Sequence, residues 1–174
     1  MPKNLQETIC NEMLFESIYT RYAKDLTNFL YYKFGASLEP ADRAQDAFIK
    51  LWENCGKVTP DKAKSYLFTT ANNLMLNAVK HQKVVLNYQK IEPKRYTNEH
   101  PEFELEQKQF AEQYHRALLK LSEEQRVCFL LNKVEKKTHQ EIATMLDITK
   151  KVVEYRIYSA FKILKEEINI LKHI

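Results

Sequence analysis

Apolar residues recur at three- and four-residue intervals along most of this chain, the signature of amphipathic helices. Over residues 11–34, Leu14, Ile18, Tyr22, Leu26 and Phe29 form one stripe, widened by Phe15, Tyr19 and Leu30. The Gly35-Ala36-Ser37 run can end that helix, because glycine tolerates the left-handed conformation that follows a last turn. A second helix is predicted over residues 40–53, with Pro40 compatible with its first turn. Ala44, Ala47, Phe48, Leu51 and Trp52 would face inward there, and Asp42, Gln45, Asp46, Ile49 and Glu53 outward. Turn formers fill residues 54–62. A third helix over residues 63–83 would bury Leu67, Ala71, Leu74 and Ala78 and turn Thr70, Asn73, Asn77, Lys80 and His81 outward. Thr and Asn are poor helix formers, costing a few tenths of a kcal/mol each against alanine, so several on one face invite a functional reason.

Periodicity is lost over residues 84–104, which hold Pro93, Pro101 and the polar run R-Y-T-N-E-H-P-E, and this stretch reads as a flexible linker. It resumes over about 103–120, where Leu105, Phe110, Tyr114, Leu118 and Leu121 are the expected inner face. Ser122 and Gln125 then form a capping box ahead of a helix with Val127, Leu130, Leu131 and Val134 inside. Thr138 and Glu141 form another, opening a short helix to about Leu146 with Ile142, Met145 and Leu146 apolar. Asp147-Ile148-Thr149 breaks the pattern, and Thr149 can cap a last helix. In that helix Val153, Ile157, Ala160, Phe161 and Leu164 make one buried stripe, while Lys151, Tyr155, Tyr158 and Lys162 lie opposite with Ser159 beside them. A short capped helix, a tight turn and a longer helix with a basic, aromatic face form a helix-turn-helix suited to the DNA major groove. The same pattern alone also suits an ordinary helical hairpin with a solvated face.

Two glycines and five prolines in 174 residues favour long helices and few turns, so the fold expected is all-α. Two small helical domains are expected, over residues 11–83 and 105–174, joined by the linker 84–104. No apolar run approaches the ~20 residues of a membrane span, and the start M-P-K-N-L-Q-E-T lacks a signal-peptide core, so the expectation is a cytoplasmic protein without membrane insertion. Cys10, Cys55 and Cys128 are odd in number and far apart, which predicts three reduced thiols and neither a disulfide framework nor a zinc site. The five histidines show no metal-binding spacing, and no metal or cofactor is expected. Charge is more telling in its distribution than in its net +4. Residues 54–83 hold five lysines against one aspartate, the clustering that an electrostatic nucleic-acid footprint needs.

Five motifs, in order, resemble the extracytoplasmic-function (ECF) sigma factors of bacterial RNA polymerase, which keep only the second and fourth sigma regions. They are L-F-x-x-I-Y-x-x-Y (14–22), A-D-R-A-Q-D-A-F-I-K-L-W (41–52), S-Y-L-F-T-T-A-N-N-L (65–74), L-x-x-L-S-E-E-Q-R-V-x-F-L-L (118–131) and E-I-A-x-M-L-D-I (141–148). The resemblance covers roughly residues 11–83 and 103–166. It implies that Asp42, Gln45, Asp46, Ile49 and Lys50 dock on the clamp helices of the largest polymerase subunit, where carboxylate and amide groups suit arginines. It implies that the loop 54–65 and the following helix, through Lys57, Lys62, Lys64, Thr70, Asn73, Asn77 and Lys80, open the −10 promoter element and hold a flipped base and single-strand phosphates. The −35 element would be read as duplex by Thr138, Lys150, Lys151, Val152, Glu154, Tyr155, Arg156, Tyr158, Ser159 and Lys162. The flap of the second-largest subunit and an anti-sigma protein are further implied partners.

Departures from the family pattern are Tyr66 where tryptophan is usual, Asp147 where glycine is common, Val152-Val153 for Thr-Val, and Glu154 for a basic residue. A competing reading is a stand-alone helix-turn-helix regulator with a helical sensing domain. It leaves unexplained an acidic docking helix followed by a lysine-rich loop and an Asn/Thr face. An enzyme fits worst: two isolated glycines allow no phosphate loop and no G-x-S-x-G elbow.

Overall fold

The computed structural model describes residues 8–81 and 101–168, and every regular element among them is a helix. The chain divides into two compact units, Met1–Leu86 and Asn87–Ile174. Most of the expected linker, residues 84–100, lies outside the described residues. Its last four residues are helical, because Pro101 opens the next helix at a position where its missing N–H costs nothing.

In the first unit, α1 (Glu12–Phe34) begins at Asn11, whose side-chain oxygen accepts from the N–H groups of Met13 and Leu14 at 3.0 and 3.3 Å. It ends at Gly35, whose φ of 82° suits a residue without Cβ and whose N–H bonds to Tyr31 O. After α2 (Pro40–Glu53) comes a loop containing one 3₁₀ turn (Pro60–Lys62), then α3 (Ala63–His81). The three helices pack on one another around Leu26, Leu30, Leu51, Leu67 and Met75, none of which retains any exposed surface.

Two inward assignments in this unit need correction, and one buried residue was not foreseen. Trp52 and Tyr19 are each 41% exposed, because none of the described residues of the unit covers that edge of the α1–α2 contact. In α3 it is Met75 that is wholly buried, with Leu74 only partly so; a helix touching both α1 and α2 buries an arc wider than one stripe.

Cys10 and Cys55 are joined in a disulfide, contrary to the expectation of free thiols. Cys10 lies just before α1 and Cys55 just after α2, and antiparallel packing of those helices brings the two Cα atoms to 5.0 Å. Parity misled because the odd cysteine, Cys128, belongs to the other unit, where it is free and buried. A link across a sequence separation of 45 constrains the unfolded chain by roughly 4 kcal/mol in the chain-entropy description.

The second unit holds α4 (Pro101–Leu119), α5 (Glu123–Lys133), α6 (His139–Leu146) and α7 (Lys150–Glu167). Its core is built from Val127, Leu130 and Leu131 of α5, Ile142 and Ala143 of α6, and Val153, Ile157, Ala160 and Leu164 of α7. Leu105 and Phe110 are exposed rather than inside, whereas Ala117 and Leu118, toward the C-terminal end of α4, are buried; α4 packs on α7. Phe161 is 48% exposed. At about 100° per residue it sits some 70° from the middle of the buried stripe, whereas Val153, Ile157, Ala160 and Leu164 cluster tightly around that middle. No described helix is long and apolar enough to cross a membrane.

Candidate nucleic-acid and protein interfaces

The helix-turn-helix is assembled by local hydrogen bonds that the sequence announces. Thr138 Oγ1 accepts from the N–H of Glu141 at 3.2 Å, and the Thr138 N–H donates to Glu141 Oε2 at 2.7 Å. This box starts α6 and seats Ile142, Ala143 and Met145 in the core. Asp147 turns the chain in the left-handed conformation, φ 56° and ψ 45°, and its N–H reaches Ala143 O. Aspartate visits that region more readily than most residues, so it serves where glycine would. Thr149 then caps α7 by accepting from the Val152 N–H at 3.3 Å.

Thr138 bonds hold the exposed Glu141 carboxyl below its ordinary value near 4.5, the backbone N–H contributing most. A lowered folded-state pKa gives stability that is complete above the unfolded value and lost as pH falls through the folded one. Thr138→Ala removes the capping hydroxyl but keeps the main-chain N–H, so it is expected to cost about 1 kcal/mol as a lost N-cap and to leave most of the acid dependence of the thermal midpoint in place. Glu141→Gln should lose the acid dependence and lower the neutral-pH midpoint toward the value the unaltered chain shows in acid. A midpoint unchanged by Thr138→Ala would show that the box contributes nothing.

Ten residues were expected to read duplex DNA, and the structure sorts them. Lys150, Lys151, Val152, Glu154, Tyr155, Tyr158 and Lys162 are exposed along α7, the two tyrosines to 72%, and Thr138 is exposed at the start of α6. Arg156 is half-buried and hydrogen-bonds Cys128 of α5, whose thiol burial pushes to a higher pKa. Ser159 Oγ accepts from Gln125 Nε2 at 3.0 Å and donates to Arg156 O, so it too is engaged within the domain. Glu154 lies 3.6 Å from His139 Nδ1 and 3.7 Å from Lys150 Nζ. His139, at the first position of α6, is a neighbour of this face that the sequence reading passed over.

On α2, Asp42, Gln45, Ile49 and Lys50 are exposed, and Asp46 is held by Arg43 at 3.0 Å. Beside them runs a groove of about 520 Å³ lined by Glu12, Phe15, Tyr19, Gln45, Phe48, Ile49 and Trp52. Phe15 meets Trp52 edge-on at 5.0 Å between centroids, and Tyr19 meets Phe48 at 4.8 Å. Sequence reasoning assigned these rings to the core; Phe48 is buried there and Phe15 packs against it, while Tyr19 and Trp52 keep an exposed edge on the groove.

Past α2, Lys57 and Lys62 are exposed in the loop and Lys64 is half-buried at the start of α3. Asp61 accepts from the Thr59 side chain, which keeps its carboxyl below its ordinary value. Along α3, Asn73, Asn77 and Lys80 share one exposed face with half-buried Thr70 beside it, while Asn72 turns away to accept from Lys33 Nζ at 2.8 Å. Tyr66 reaches back to Lys50 O at 3.4 Å, joining α3 to the end of α2. Among the described residues no group of three or more His, Cys, Asp or Glu side chains could hold a metal ion.

Comparison with known proteins matches residues 18–84 to the family described as Sigma-70 region 2, and residues 111–164 to Sigma-70 region 4. No curated protein matches the chain. Among solved structures, the 1.8 Å structure of the RsbN–BldN complex is similar over 88% of this chain and 91% of that one, at 15% identity and a TM-score of 0.33.

Proposed function

Because this chain belongs to the sigma-70 family and is an RNA polymerase sigma factor, we propose that it is of the ECF type and directs core polymerase to promoters by −35 reading and −10 strand opening. The order of the two matched regions, region 2 followed by region 4, is the pairing typical of that type and is the observation that carries the reading. A sensing domain, as in a stand-alone regulator, is not what residues 18–84 match.

In this reading α2 docks on the clamp helices through Asp42, Gln45, Asp46, Ile49 and Lys50. Lys57, Lys62 and Lys64 grip phosphates of the displaced strand, and Asn73, Asn77 and Lys80 with Thr70 hold its bases. Unstacking a base costs a few kcal/mol, which such contacts offset. Region 4 enters the −35 major groove with α7, Tyr155 and Tyr158 outermost, while the polymerase flap supports it from the other side. The work is binding and not bond-making, and it takes place where the polymerase is, in the cytoplasm. An anti-sigma protein that grips both domains is the expected regulator.

Transcription in vitro with core polymerase on genomic fragments tests this. Transcripts with defined starts that depend on the chain are expected; the same starts from core enzyme alone, or none with the chain added, would sink it.

Glu154 separates base reading from general attraction to phosphate. A carboxylate can accept from a cytosine amino group, worth roughly 1–3 kcal/mol of discrimination, whereas a phosphate contact shifts all sequences together. Its present neighbours, His139 and Lys150, are surface pairs worth little. Glu154→Ala should thus relax one position of the −35 preference and leave affinity for random DNA equal or higher. Lys151→Ala should weaken every sequence and reduce the salt slope by about one. Selection of both variants on a randomised −35 library at fixed salt decides; an unchanged preference in Glu154→Ala makes the carboxylate a brace for His139 and Lys150.

A further inference from the structure

Docking, strand opening and duplex reading leave one chemical feature of region 2 unused, the Cys10–Cys55 pair. Inside cells that keep thiols reduced, disulfides that do form are generally transient, either catalytic or redox-sensing. The placement of this one suits the second role. Cys10 is exposed and Cys55 half-buried, so an attacking thiolate can reach the bond, whereas Cys128 is buried. Cys10 adjoins Ile9, which is wholly buried in the core, so one end of the link is anchored. Cys55 begins the lysine-bearing loop after α2. At Gly56, the next residue, a Cβ would meet nothing within 4 Å, so the chain beside the link faces open space on that side.

We propose that Cys10 and Cys55 form a thiol–disulfide redox site whose closed state preorganises the loop 54–62 for the displaced promoter strand. Its co-reactants are small-molecule thiols and disulfides of the glutathione class, or a protein dithiol. In closing, one cysteine thiolate attacks the oxidant's sulfur–sulfur bond and expels a thiolate. The second cysteine thiolate then attacks the mixed disulfide and expels the other, so the protein loses two electrons and two protons and the oxidant leaves as two thiols. Opening by a dithiol is the reverse, and the dithiol leaves as its own disulfide. With the loop tied at Cys55, fewer loop conformations are lost when lysines meet phosphates, so the closed form opens promoters better. The part played by the loop rests on the sigma-factor reading; the exchange chemistry does not.

The full chain is equilibrated in glutathione buffers of graded oxidation and alkylated under denaturing conditions, and its cysteine peptides are mapped. Cys10 and Cys55 should oxidise and reduce together while Cys128 stays alkylatable, and the closed form should unfold at a temperature higher by on the order of 10 °C. In holoenzyme on a duplex promoter, the reduced form should yield roughly threefold to tenfold fewer open complexes, with equal yields on a pre-melted template. A Cys10→Ser/Cys55→Ser variant should match the reduced form in every buffer, which also controls for thiols of the polymerase. Thiols that stay open in the oxidising buffers would overturn the redox site, and equal opening by closed and open forms would overturn its role at the loop. Absence of any transcription in either state would sink the functional reading and the loop's role with it, while the exchange measurements, which need no polymerase, still decide the redox site.

Discussion

Replacing Gln45 and Asp46 together by arginine is expected to abolish holoenzyme formation while the helical fold survives. If α2 meets arginines on the clamp helices, two new cations face like charge across a close contact, which costs several kcal/mol and lowers affinity by a hundredfold or more. The fold has little at stake. Gln45 is exposed, and the Arg43–Asp46 pair that the change removes is a surface ion pair, worth at most about 1 kcal/mol. Co-purification with core polymerase, beside the thermal midpoint of the free chain, reads both quantities. Undiminished binding would remove α2 from the docking surface.

Alanine at Asn73, Asn77 and Lys80 together should leave polymerase binding intact and reduce open complexes on a duplex promoter by an order of magnitude or more. Each lost hydrogen bond contributes about 0.5–1.5 kcal/mol net, and three acting in one step compound. Helix α3 is not weakened by the change, because alanine is a better helix former than asparagine by a few tenths of a kcal/mol. Permanganate reactivity of the −10 thymines on duplex and on pre-melted templates separates opening from grip. Equal loss on both templates would argue against a specific part in strand opening.

The helices themselves were legible residue by residue because their signals are local. Asn11, Ser122, Thr138 and Thr149 each cap the helix that follows with a side-chain oxygen, and the two predicted capping boxes both form. What periodicity could not convey was the width of each contact. It placed Trp52, Leu105, Phe110 and Phe161 inside, yet whether an apolar side chain is covered depends on which neighbour crosses at that turn, a non-local matter. The disulfide failed for the same reason: its partners are distant in sequence and meet only once α1 and α2 pack. Of the candidate contacts, the outward run of α7 could be projected on a helical wheel. The engagement of Arg156 with Cys128 and of Ser159 with Gln125 needed the position of α5.

Gln125 closes its own capping box with Ser122 through one amide atom and holds Ser159 of α7 through the other. The side chains that fix how α7 is held, namely Val153, Arg156, Ile157, Ser159, Ala160 and Leu164, are therefore a different set from Lys151, Tyr155, Tyr158 and Lys162, which look outward. If α7 reads the −35 element as proposed, promoter preference can drift without passing through unstable intermediates, because outward positions can be exchanged one at a time on an unchanged scaffold. Gln125 is the opposite kind of position: replacing it removes half of a capping box and the α5–α7 hydrogen bond together, so the cost falls on the scaffold and not on one outward contact.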